Sequence, residues 1–230
     1  MTSSIIIIIG IIATVCLMLG CTGRKHAEMQ DRLHQLNAFN RADSIFRSTD
    51  EAQALVDYFE EHDTPNEQML AYYLLGRAYH DLHEAPMALK YFQIASERAD
   101  TTATDCDYAQ LSRVYGQMSA VFYQQNLMRQ SLEKANLSEM YGWKGKDTLN
   151  ALISKGGKIF AYKRLSEPDS AIYISEELYT KYKDSDFKEY AASYLASVIR
   201  DLMGTYRKVC PHFVWLYFFF YRTQLIINKS

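Results

Sequence analysis

The sequence predicts an all-α protein built as a row of antiparallel helical hairpins, and three observations predict it. Only 10 Gly and 4 Pro occur in 230 residues, while Leu, Ala, Glu, Lys and Tyr are plentiful, a composition that favours long helices over a turn-rich sheet. Apolar residues recur at spacings of three and four along successive segments. Short polar or glycine-containing breaks separate those segments, and short links make consecutive helices antiparallel neighbours.

Helices are expected at about 27–47, 49–62, 65–82, 86–99, 107–124, 127–141, 148–164, 168–182 and 187–206. Ser48 with Glu51 has the form of a capping box, and Thr64 with Glu67 repeats it with Pro65 at the first helical position. Ser166 with Pro168 and Asp169 is a third start signal. Breaks fall at Gly142 with Gly145, along residues 100–107, and at Lys183-Asp184-Ser185-Asp186. Met29, Leu33 and Leu36 form one apolar stripe and Ala52, Leu55, Val56 and Phe59 another, so residues 27–64 read as a degenerate leading hairpin that caps the row. No segment reads as a strand.

The first twenty residues stand apart. Residues 5–19 form an almost unbroken apolar run with no charge and one glycine, short for a bilayer span and right for the core of a signal peptide. The run ends in Met18-Leu19-Gly20-Cys21, which resembles a bacterial lipoprotein box, in which a signal peptidase cuts before the cysteine and the thiol receives lipid. That resemblance implies a signal peptide over 1–20, a tether over 21–26, lipidation of Cys21, and a chain anchored to an envelope membrane and facing the periplasm. Met18 stands where Leu is usual, and the leader Met1-Thr2-Ser3-Ser4 has no Lys or Arg. An uncleaved anchor, with Arg24 and Lys25 kept inside, is the other reading. Cys106 and Cys210 have neither CxxC nor metal-type spacing and read as isolated thiols, with one disulfide between them as the alternative.

Tyr72, Leu75, Gly76 and Tyr79 share one helical face, and Ala88, Phe92 and Ala95 follow at spacings of four and three. These seven residues resemble the tetratricopeptide repeat (TPR) signature at each main position except the closing proline, where Asp100 stands. A weaker unit has Tyr115, Met118, Ser119 and Phe122 followed by Ser131, Ala135 and Ser138. A third keeps Tyr162 and Ala171 but places Lys155 and Lys158 where apolar residues belong. Ala88 to Ser131 is 43 residues and Ser131 to Ala171 is 40, against about 34 in a regular repeat. The resemblance implies a TPR-like α-solenoid over 65–208 with a right-handed superhelical sense, whose concave groove takes a segment of a partner protein. Carried over by position, that groove shows Leu70, Tyr73, Arg77, His80, Arg113, Tyr123, Phe160 and Lys163. Its aromatic and basic members would suit an acidic segment or a carboxylate. The plain alternative is that they are solvated or inter-hairpin residues.

A net charge of -2 argues against a nucleic-acid partner. No Gly-rich phosphate loop, GxSxG or HExxH occurs, and the adjacent carboxylates Glu60-Glu61 and Glu176-Glu177 point to different helix faces. His80 and His83 lie beside Asp81 and Glu84 without the further ligands a zinc site needs, and His62 next to Asp63 reads as a helix-end cation. No cofactor, metal or catalysis is therefore expected. Residues 209–230 form a separate tail in which seven of the nine residues 213–221 are aromatic; it reads as a cap, a remnant of a longer chain or a membrane-interfacial segment. The expected function is a membrane-tethered, non-catalytic adaptor that holds a protein partner. A second resemblance, to TPR-containing periplasmic sensors with a further span and a regulator, gives the alternative of a sensor lacking its effector.

Overall fold

The computed structural model describes residues 23–61 and 65–209, with the backbone alone for 203 and 205–209. All regular structure among them is α-helical: α1 (residues 23–41), α2 (Asp50–Glu60), α3 (Pro65–Asp81), α4 (Ala85–Arg98), α5 (Tyr108–Gln124), α6 (Met128–Lys144), α7 (Thr148–Arg164), α8 (Pro168–Tyr182) and α9 (Lys188–Val209). From α2 onward each helix packs on the next, and the odd-numbered ones also touch in series, α3 on α5, α5 on α7 and α7 on α9. That pattern is an all-α TPR-like solenoid. The odd helices form one side of the stack and α4, α6 and α8 the other.

The links after α3, α5, α6 and α7 repeat one geometry. In each, an amide reaches back five residues to close the last turn: Glu84 N–H to the Tyr79 carbonyl (2.9 Å), Leu127 to Phe122 (2.8 Å), Asp147 to Gly142 (2.9 Å) and Glu167 to Tyr162 (3.0 Å). This is a Schellman closure, which needs a left-handed residue just past the helix. His83, Asn126, Lys146 and Ser166 take that place, with φ of 64°, 61°, 57° and 59°, although glycine would do so without steric cost. Gly145 precedes the left-handed position and is there for another reason. A Cβ on it would lie 2.4 Å from the Ala109 nitrogen, so only glycine lets the end of α6 pass the start of α5.

Several expected punctuation marks act differently. Ser166 is left-handed and cannot cap α8, whose N-cap is Glu167. Thr49, not Ser48, is the N-cap of α2 and makes no side-chain bond, while Ser48 Oγ accepts only from the Asp50 amide at 3.4 Å. The side-chain caps that do form are Asp107 on the Gln110 amide (2.8 Å) and Asp147 on the Asn150 amide (3.1 Å). Gly142 is no break: α6 continues through it to Lys144, and it is small because a Cβ there would meet the Ala151 Cβ at 2.9 Å. α1 ends at residue 41 rather than 47, because Asp43 turns left-handed (φ 53°) and Phe46 is drawn into the core, its amide donating to Asp81 Oδ2 at 3.1 Å. Thr64, His62, residues 1–20, Cys21 and residues 210–230 lie outside the described residues.

The main apolar core joins α1 to α5. Leu33, Leu55, Phe59, Met69, Leu74, Leu75 and Phe92 are buried, and Gly76 lets the Phe92 ring approach to where a Cβ would be 2.6 Å away. Burying a phenylalanine this fully stabilises by about 3–5 kcal/mol relative to alanine. Two tyrosine stacks lie at its edge, each ending in a cation: Tyr79, Tyr91 and Tyr72 under Arg98, and Tyr115, Tyr141 and Tyr108 under Lys144. A second apolar cluster joins α7, α8 and α9 through Leu152, Ile159, Ala171, Leu178, Ala191 and Val198. Between the two lie a small apolar cluster of Met128, Leu132 and Ala161 and a layer of small polar residues. Ser112 Oγ donates to the Ser138 carbonyl (2.6 Å), Ser138 Oγ donates back to the Ser112 carbonyl (2.7 Å) and meets Ser154 Oγ at 2.6 Å, and Asn150 Nδ2 donates to Ser112 Oγ. Ser119, standing where Gly76 stands in the first unit, donates to the Ser131 carbonyl at 2.9 Å. Lys155 and Lys158 occupy expected apolar positions because α6 and α8 supply carboxylates: Lys158 meets Glu139 at 2.6 Å and Lys155 meets Glu177 at 2.5 Å.

Candidate functional site: the groove between alpha5 and alpha7

The repeat-signature residues lie inside the first hairpin. Tyr72, Leu75, Ala88, Phe92 and Ala95 are buried, Gly76 faces Phe92, and Tyr79 packs partly buried against the core. Tyr73, expected in the groove, is only 4% exposed and stands 5.9 Å from the Phe92 ring, so it belongs to the core. Leu70 is half-buried against the same cluster. α1 covers this stretch of α3, which is buried on nearly every side from Gln68 to Gly76.

The basic groups on the odd-helix side are already engaged. Arg77 Nε donates to Asn40 Oδ1 on α1 (3.0 Å), Nη1 to Gln117 Oε1 on α5 (2.8 Å), and Nη2 pairs with Asp81 (3.3 Å). His80 Nε2 meets Gln124 Oε1 at 3.1 Å, and its Nδ1 lies 3.6 Å from Asp81. Arg113 pairs with Asp147 at 2.6 Å, while Lys163 pairs with Asp201, bonds Ser197 Oγ at 3.0 Å and sits over the Phe160 ring. Arg164 lies over Tyr123, 4.3 Å from its centroid. Burial alone would raise the Asp147 pKa, but the Arg113 guanidinium and the Asn150 amide outweigh it and hold the carboxyl below its ordinary value. These contacts tie each hairpin to the next. The residues bind neighbouring repeats on the odd-helix side.

The odd-helix side leaves open an apolar groove of about 440 Å³ between α5 and α7, floored by α6. Gly116, Ala120 and Tyr123 form one wall and Ile153, Gly157 and Phe160 the other. Ile153 is 44% exposed and Phe160 36%. A Cβ on Gly157 would touch nothing within 4 Å, so that position leaves a gap in the wall where another residue would put a side chain. Gln117 and Gln124 stand at the rim with their carbonyl oxygens committed to Arg77 and His80, which leaves their amide hydrogens to donate. The groove thus offers apolar walls, amide donors and ion-paired cations. Arg113, Tyr123 and Phe160 belong to it; Leu70, Tyr73, Arg77, His80 and Lys163 do not line it. Ile153, Gly157, Gln117 and Gln124 escaped the sequence reading, although Ile153, Gly157 and Phe160 repeat at spacings of four and three on a face the hairpin core does not use.

No group of three or more His, Cys, Asp or Glu among the described residues is placed to hold a metal ion. His83 serves the turn after α3. No described helix is long and apolar enough to cross a membrane.

Fold and groove define the class of molecule, a TPR-like helical-repeat protein with an apolar groove between α5 and α7. Solved structures of that class are similar to this chain. The nearly identical TPR-like repeats of a candidate kinesin light chain from Podosopora anserina align at 10% identity and a TM-score of 0.61, over 88% of this chain and 97% of that chain. A second structure of those repeats aligns at 10% identity and 0.59, over 75% and 86%. A signal-transduction ATPase with numerous domains and a tetratricopeptide repeat sensor, from Pyrococcus horikoshii, aligns at 14% identity and 0.56, over 79% of this chain and 28% of that one. At these identities the likeness is one of fold. No protein-family model matches the chain, and no curated protein matches it in sequence.

Proposed function

We propose that this protein is a non-catalytic adaptor, held at a bacterial envelope membrane through lipid on Cys21, that seats apolar side chains of a partner protein between α5 and α7. The observation that carries the groove reading is the open pair Ile153 and Phe160 around the gap at Gly157, in a groove whose Arg113 is neutralised by Asp147. An acidic partner segment, expected from the residue types, would find no free cation among Arg77, Arg113 and Lys163. A segment with one or two apolar side chains and backbone carbonyls facing Gln117 and Gln124 fits instead. The anchor reading is supported by Met18-Leu19-Gly20-Cys21 at the end of the apolar leader.

A photo-crosslinking amino acid at Ile153 in intact cells tests the groove, with Tyr173 on α8, 69% exposed, as the control position. Adducts specific to position 153 and lost in Phe160→Ser are expected; equal adducts at both positions would end the groove reading. Labelling with a fatty-acid analogue tests the anchor separately. Label should vanish in Cys21→Ser, and label that persists there would place the lipid elsewhere.

A further inference from the structure

From α3 onward the odd helices meet at three joints, α3 on α5, α5 on α7 and α7 on α9. The turn closures put the first three of these helices in register, because Tyr79, Phe122 and Tyr162 each accept the amide that ends their helix. Two residues before those acceptors stand Arg77, Ala120 and Phe160; five residues before two of them stand Gln117 and Gly157.

Two of the joints are bridged by side chains from this register. Arg77 crosses from α3 and donates to Gln117 on α5 at 2.8 Å. Phe160 crosses from α7 to α9, where its ring lies 6.0 Å from that of Tyr194. At the joint between them the same crossing would run from Ala120 on α5 to Gly157 on α7, and these residues stand on opposite walls of the groove. Both side chains are cut back, one to a methyl group and the other to hydrogen. The α5/α7 groove is therefore a joint whose bridge is missing.

Building on the seat for a partner proposed above, we infer that this joint is completed in trans by one aromatic side chain of the partner protein, inserted between Ala120 and Gly157. The two bridged joints show what a filler requires. Arg77 needs acceptors and finds three, on Asn40, Gln117 and Asp81. Beside the gap Gln117 Oε1 already accepts from Arg77, and Asp147 already pairs with Arg113. A basic side chain entering there would lose hydration without gaining either group. Phe160 needs only area and a second ring. The groove supplies both, with Tyr123 on one wall and the part-exposed Phe160 on the other, so an inserted ring can meet aromatic edges or faces on two sides. Because a Cβ on Gly157 would meet nothing within 4 Å, a flat ring has room against the α7 backbone. A single large ring in a recess of this kind is the usual anchor of a protein interface.

Photo-crosslinking from position 153 of the full-length chain in intact cells tests this when the gap is filled from within. Gly157→Phe restores a ring, and Ala120→Arg with Gly157→Gln copies the pair at the α3/α5 joint. Ala120 is half-buried and Gly157 exposed, so both variants should keep their helicity by circular dichroism. Adducts specific to position 153 should fall several-fold in each. The linked partner peptide, sequenced by mass spectrometry, should hold a Phe, Tyr or Trp beside the linked site, and replacing that ring by Leu in the partner should lower the adducts several-fold as well. If one filling disturbs the fold, the other and the partner-side exchange still decide. Specific adducts that survive a folded filling, or a partner ring exchanged for Leu without loss, would overturn this inference alone. Adducts in the unchanged chain no more abundant than at the Tyr173 control would end the groove reading together with it.

Discussion

Asp147 carries two separable duties, and its removal gives the sharpest quantitative test of how the repeats are joined. Its carboxylate caps α7 at the Asn150 amide and pairs with Arg113 across the α5/α7 boundary, with the two side chains 17% and 27% exposed. Losing the cap should cost about 1 kcal/mol. Losing a partly buried, charge-assisted hydrogen bond and stranding Arg113 should cost about 1.5–3 kcal/mol. Asp147→Ala is therefore expected to lower stability by about 2–4 kcal/mol, whereas Asp147→Asn, which still caps, should lose about 1–2 kcal/mol less than that. Urea unfolding followed by circular dichroism at pH 7 reads both. The pH dependence gives the sign. A carboxyl held below its ordinary value contributes stability that is fully present above the unfolded pKa of about 3.9 and disappears as pH falls through the lower folded value. The gap between the unchanged chain and Asp147→Asn should stay constant from pH 7 to about 5 and shrink below about 4. An Asp147→Asn chain as stable as the unchanged one at pH 7, or a gap that widens in acid, would refute the ion-pair reasoning.

Neighbouring substitutions at the end of α6 should have opposite signs: Gly145→Ala drives a methyl into the α5 backbone and should destabilise by about 1–3 kcal/mol, whereas Lys146→Gly relieves a left-handed residue and should stabilise by about 0.5–1 kcal/mol. Thermal melts of the pair check both. Ser138→Ala removes a donor from the buried serine layer and should cost about 1–3 kcal/mol by urea unfolding. Ile153→Glu changes an exposed wall of the groove, so it should abolish photo-crosslinking from a probe at Phe160 while moving the melting temperature little.

The positions of the helices were largely legible in the sequence, because hydrophobic spacing is a local signal; their ends were not, because the turns use chemistry that composition hides. Left-handed His83, Lys146 and Ser166 satisfy a geometry for which glycine is the usual marker, while Gly142 and Gly145 answer to neighbouring helices. Tyr73 was misplaced for a related reason: α3 is enclosed by its neighbours, so no polar face remains to separate core from groove. The basic residues were recognisable as odd-helix groups, but Asp147 and Asp201, which neutralise Arg113 and Lys163, lie 34 and 38 residues further along the chain. Such partners become visible only when one repeat is stacked on the next.

The serine layer between α5, α6 and α7 gives the stack an uneven grain. On either side the contacts are apolar and non-directional; in the layer, Ser112, Ser138 and Ser154 add short directional bonds. The α5/α7 groove straddles this seam. Its width is therefore set beside the same short bonds that join α5 to α6 and α6 to α7.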